Sequence, residues 1–161
     1  MLKVGMLRNF IFGVEDSLVS TVGFITGIAS ASVDRETVLL SGGVLIFVEG
    51  FSMGVGAFLS EESALEARYR RYVRPGKSIV DGLVMFFSYL FAGFVVLSPY
   101  AFGPPGEAVA RSIVLSLAFL FLLGIFAAKV AGLPILPRGI RMAVIGGLAI
   151  LLGVAVAGFM R

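Results

Sequence analysis

The chain has 161 residues, 58% of them hydrophobic, with a formal charge of +3 and a mean hydropathy of +1.03. Soluble domains sit nearer about 45–50% apolar, so a water-soluble fold of this size has no way to hide so much apolar surface, and lipid is its natural solvent. The absence of Cys and His excludes disulfides, thiolate catalysis, haem ligation by His and Cys/His zinc sites. The lack of a basic face on a soluble module excludes a nucleic-acid partner.

A helix crosses the hydrocarbon core with about 20 apolar residues, and runs of that length follow one another along the chain. Span 1 covers Asn9–Ser32 and ends at Asp34-Arg35-Glu36. Its Glu15 and Asp16 suit no signal-peptide core. Span 2 covers Thr37–Ser60, and a short charged segment, Glu61 to Lys77, follows it. Pro75-Gly76 marks the end of that segment. Span 3 covers Ser78–Tyr100, and Gly103-Pro104-Pro105-Gly106 is a loop. Span 4 covers Ala108–Leu133, Pro134 and Pro137 bracket a turn, and span 5 covers Arg138–Met160. The runs are too long for strands and lack alternation. The expected fold is therefore a single all-α integral membrane domain, residues 1–161, with five transmembrane helices.

Basic residues set the orientation of membrane proteins by collecting on the cytoplasmic side. With the N-terminus cytoplasmic, Lys3, Arg8, Arg68, Arg70, Arg71, Arg74, Lys77, Lys129, Arg138 and Arg141 lie on that side. Only Arg35, Arg111 and Arg161 lie opposite. The expected location is a multi-pass position in the cell membrane of a prokaryote or a vacuole-like membrane of a eukaryote. Gly23 with Gly27, and Gly50 with Gly54, make G-x-x-x-G pairs, which let helix backbones approach closely in lipid. They serve either packing within the chain or a dimer seam through span 1.

Charges within a span cost roughly 2.5–3.5 kcal/mol on insertion scales and persist mainly where they line a path or find a partner. Span 1 holds Glu15 and Asp16, and span 2 holds Glu49, with no Lys or Arg at matching depth. Asp16 lies roughly 10 Å into span 1 at 1.5 Å per residue, level with Met53, and Glu49 lies one turn deeper. Glu61, Glu62 and Glu66 stand at the cytoplasmic mouth of span 2. Glu49, Met53, Gly56 and Ser60 share one helix face, as do Asp16, Ser20, Gly23 and Gly27. The order is that of a stepped cation path: an acidic mouth, an Asp16/Met53 level, and Glu49 near the midplane. Carboxylates alone suit Mg²⁺, Ca²⁺ or Mn²⁺, and a thioether shifts preference toward softer ions such as Fe²⁺. Burial disfavours an unpaired charge, so the same acids are candidates to carry protons one way and metal the other. Glu15 points to a different helix face from Asp16 and is set aside. Asp81, at the start of span 3 near Lys77, is read as structural.

At these residues the chain resembles the vacuolar iron transporter family of divalent-metal/proton exchangers. The segment Arg8-Asn9-Phe10-Ile11-Phe12-Gly13-Val14-Glu15-Asp16-Ser17-Leu18-Val19-Ser20 is similar to that family's Gly-x-x-Asp-Gly-Leu-Val-Ser opening of span 1. Glu49-Gly50-Phe51-Ser52-Met53-Gly54-Val55-Gly56 is similar to its Ser-Met-x-x-Gly segment in span 2. The resemblance implies a five-helix homodimer with the ion path between two copies of span 1, moving Fe²⁺ or Mn²⁺ out of the cytoplasm against protons. The family's span 1 aspartate matches Asp16 and its span 2 methionine matches Met53. Ser17 stands where the family usually has Gly, Asn9 where many members have Asp, and Ala57 where many have Glu. The segment after span 2 is shorter than the Glu-rich domain of well-known members.

The metal-site residues are thus expected to be Asp16, Glu49, Met53, Glu61, Glu62 and Glu66. The partners are a divalent cation, protons, the bilayer and a second copy of the chain. No permanently bound cofactor is expected, the metal being cargo. An enzyme is not expected, because no nucleophile–base pair or nucleotide loop is present. The competing reading is a non-transporting membrane scaffold or partner subunit whose carboxyls are structural.

Overall fold

In lipid every backbone amide must be satisfied within the protein, and a helix does this inside one segment. The computed structural model describes residues 4–31, 33–72 and 74–159. Lys3, Ser32, Met160 and Arg161, which enter the expectations above, lie outside the described residues. The helices are α1 (Val4–Ser30), α2 (Arg35–Tyr69), α3 (Gly76–Ala101), α4 (Pro105–Ala131) and α5 (Ile135–Phe159). All 5 are long and apolar enough to cross a membrane, and there is no strand among the described residues.

The helix ends follow local chemistry. Asp34 caps α2, accepting from the backbone N–H of Thr37 at 2.8 Å and from its hydroxyl at 2.9 Å. α4 begins on Pro105, which lacks the N–H that a first helical residue leaves unused, and ends on Gly132 at φ 68°. Pro137 falls inside the first turn of α5, not in a turn before it. The first turn tolerates proline because no intrahelical N–H bond is lost there.

The largest difference from expectation is at the end of α2. Residues 61–69 continue the helix, so the charged segment is mostly a rigid extension and not a connector. Glu61, Glu62, Ala64, Leu65, Glu66, Ala67 and Arg68 are strong helix formers with no Gly or Pro among them. The 35 residues of α2 make a rod of roughly 50 Å, longer than the ~30 Å hydrocarbon core.

Successive helices alternate in direction. One end of the bundle gathers Arg8, Arg68, Arg70, Arg71, Arg74, Lys77, Lys129, Arg138 and Arg141, while the other holds Arg35 and Arg111. Helix α1 is central and packs on each of the other four; α3 also packs on α2, and α4 on α5. Leu18, Val22 and Ile25 of α1 meet Val96 and Tyr100 of α3, Leu120 of α4 and Ile150 of α5 in the core. Phe47, Phe51, Phe87, Phe91, Leu148 and Leu152 are exposed around the outside, where lipid tails solvate them. Apolar burial gives little drive between helices in lipid, so close packing of small residues matters more. Gly23 lies against Gly153 of α5, and Gly50 and Gly54 lie against α3. These three glycines of the G-x-x-x-G pairs therefore serve contacts within the chain.

The Asp34 cap has a pH signature. The Thr37 backbone bond, followed by its hydroxyl bond, holds the Asp34 carboxyl below its ordinary value. A depressed value means the cap stabilises fully at neutral pH and loses its contribution as pH falls through that lowered value. Melting curves between neutral and acidic pH are expected to show wild type losing stability relative to Asp34→Asn, which caps without titrating. Parallel curves for the two proteins would rule the cap out as the cause.

Candidate functional site

The first half of α1 and the second half of α2 border a cleft of about 860 Å³. Asn9 and Glu15 of α1 face Met53, Gly56, Ala57 and Ser60 of α2 across it, and Met85 of α3 also lines it. Spacing explains the α2 side: Met53, Gly56 and Ser60 recur at helical period and present one stripe. Two thioethers and a carboxylate thus share one opening.

Glu49 stands one turn before Met53 on α2 and is turned toward α3. The hydroxyl of Tyr89 donates to Glu49 Oε2 at 2.7 Å. Ser20 Oγ lies 2.8 Å from the same hydroxyl. With the phenol proton committed to Glu49, Ser20 is the donor of that second bond. Ser17 Oγ donates to the backbone carbonyl of Tyr89 at 2.7 Å. Tyr89 is fully buried, so this chain of bonds fixes Glu49 against the α1–α3 seam. Asp16 lies within electrostatic reach of both Glu49 and Tyr89.

Of the mouth residues, Glu61 is already engaged. Glu61 accepts from Lys77 and lies 3.8 Å from Arg8. Glu62 and Glu66 are half-buried further along α2, and neither forms an ion pair among the described residues. Among the described residues, no three acidic side chains converge closely enough to hold a metal ion.

The sequence expectation paired Asp16 with Met53 and placed Glu49 below them. In the structure Met53 shares its cleft with Glu15, the acid set aside above, and Asp16, which does not line that cleft, lies within electrostatic reach of Glu49. Tyr89 and Met85 are not among the residues the sequence singles out. A tyrosine ordinarily anchors at the membrane interface, so Tyr89 in mid-span was the signal that a polar partner waited nearby. Asn9 and Ser17 turn out to fasten α1 to α3: Asn9 Nδ2 donates to the carbonyl of Asp81 at 3.4 Å, and Ser17 donates to that of Tyr89. An ionised Asp at position 9 would have no proton to donate, and Gly at position 17 would have no side chain to donate from.

The VIT family model matches residues 7–74 and 67–158, all of the helical bundle apart from its extreme ends. The two matched stretches meet at residues 67–74, where α2 ends. An uncharacterized protein of Methanocaldococcus jannaschii is 26% identical over 166 aligned positions, covering 89% of this chain and 83% of that protein.

Proposed function

Because the chain belongs to the VIT family, the vacuolar iron transporter family, a family of membrane metal-ion transporters, we propose that it moves Fe²⁺ or Mn²⁺ out of the cytoplasm in exchange for protons. The observation that carries this reading is the set of acids on α1 and α2: Glu15 in the cleft with Met53 and Met85, and Glu49, held by Tyr89, within electrostatic reach of Asp16. Buried acids without a cationic side chain beside them mark ion paths in membrane proteins.

The basic end of the bundle faces the cytoplasm under the positive-inside rule. A cation enters the cleft past Glu61, Glu62 and Glu66, meets Met53 and Glu15, and passes to Glu49 and Asp16. Among the described residues no three acidic side chains converge, and in this reading the remaining ligands come from a second copy across α1 in a homodimer. Tyr89 donates to Glu49 when that carboxylate is ionised and accepts from it when it carries a proton, so the same contact serves both steps of the exchange. The Met53 thioether favours Fe²⁺ over Mg²⁺ and Ca²⁺.

Uptake of Fe²⁺ and Mn²⁺ into proteoliposomes, with and without a pH gradient, tests the reading. Uptake driven by the gradient is expected, and no uptake of either metal would favour the scaffold reading. Met53→Leu preserves volume and removes sulfur. It is expected to lower Fe²⁺ uptake severalfold and to let excess Mg²⁺ compete, measured by isotope or fluorophore quench. Unchanged competition by Mg²⁺ would remove Met53 from selectivity.

A further inference from the structure

Lys77 sits in the first turn of α3, against the positive end of the helix dipole, where a cation is disfavoured. It needs anionic company. In this arrangement its ammonium group bonds Glu61 of α2. One helical turn along α3 is Asp81, which is completely buried. Neither of its carboxyl oxygens has a hydrogen-bond partner among the described residues. Both oxygens lie against the α1 backbone: a Cβ added to Gly5 would come within 3.3 Å of each. Asp81 opens onto a small pocket of about 180 Å³ that Lys77 itself lines with Met6, Gly76 and Val80. A buried carboxyl without a partner has a strong claim on the nearest cation. Residues four apart on a helix are within reach of one another.

We propose that Lys77 is a two-position counter-ion, covering Glu61 in this arrangement and moving to Asp81 when a divalent cation takes Glu61. Asp81 is then a positioning residue for the mouth of the path, acting through Lys77. It gives the displaced ammonium a partner and so lowers the cost of clearing Glu61. Arg8, the other cation at Glu61, is well exposed and retreats into water. The proposal rests on the metal reading of Glu61 given above.

Two experiments test it. The first needs no metal: a high-resolution structure of the Glu61→Gln protein is expected to show Lys77 Nζ hydrogen-bonded to the Asp81 carboxyl. Lys77 left on Gln or extended into solvent overturns the switch, whatever the protein transports. The second measures Mn²⁺ affinity in detergent. Lys77→Gln is expected to tighten binding severalfold, and Asp81→Asn to weaken it by about tenfold. In the Lys77→Gln background the Asp81→Asn change is expected to have no effect. An effect that persists there shows that Asp81 acts through packing and overturns the proposal. If the wild-type chain binds no Mn²⁺, the transport reading fails, while the first experiment still decides the switch.

Discussion

Proteoliposomes carrying Glu49→Gln or Asp16→Asn are expected to take up divalent metal no faster than empty vesicles, a loss of about 100-fold or more. Each change is isosteric. Gln keeps a carbonyl oxygen to accept from Tyr89, so the 2.7 Å bond at Glu49 survives and the fold with it. What is lost is the negative charge that replaces the hydration shell of the cation and the group that carries the proton. One lost factor of ten corresponds to about 1.4 kcal/mol, and an ionic ligand in a low-dielectric seam is worth more than one such factor. Asp16 and Glu49 lie in electrostatic reach of one another, and the proposed path has them act as a unit. The double variant is therefore expected to be no worse than either single one. Tyr89→Phe removes only the partner that orients Glu49, and a loss of about 10–100-fold is expected, the size typical of groups that orient a metal ligand. Uptake that survives both carboxyl changes would show that the ion travels elsewhere.

Gly82→Val is expected to force the α2–α3 pair apart and destabilise the bundle. A Cβ at Gly82 would stand 2.7 Å from the backbone oxygen of Gly54 and 3.0 Å from Phe58 Cβ. The approach is reciprocal: a Cβ at Gly54 would stand 3.1 Å from the Gly82 oxygen. The two oxygens are backbone atoms and a Cβ is fixed by its own backbone, so no rotamer change relieves the clash and the helices must separate. Overpacking of this kind costs about 1–3 kcal/mol or more, which appears as a lower melting temperature in detergent. Separation also draws Tyr89 away from Glu49, so activity is expected to fall with stability. Gly43→Ala is the control, since nothing lies within 4 Å of a Cβ there. Alanine is the better helix former by about 1 kcal/mol, and the variant is expected to be at least as stable as wild type. Equal melting of the Gly82→Val and wild-type proteins would contradict the packing described.

Five helices in lipid were legible from the sequence alone, because the demand for internally bonded backbone over a fixed thickness is met by local composition. So were the family resemblance, which rests on short motifs in α1 and α2, and the oddity of Glu49, an acid with no cationic residue at its depth. Only the tertiary structure decided what those acids face. In a water-soluble helix the polar side and the apolar side announce which face is buried. In lipid both faces are apolar, so that contrast is weak, and a phase error of one residue turns a side chain through about 100°. That is why Tyr89, 40 positions from Glu49 in the chain, came to hold it. It is also why Glu15 shares the cleft with Met53, why Glu61 is covered by Lys77, and why Asp81 lies buried one turn away with no hydrogen-bond partner for its carboxyl among the described residues.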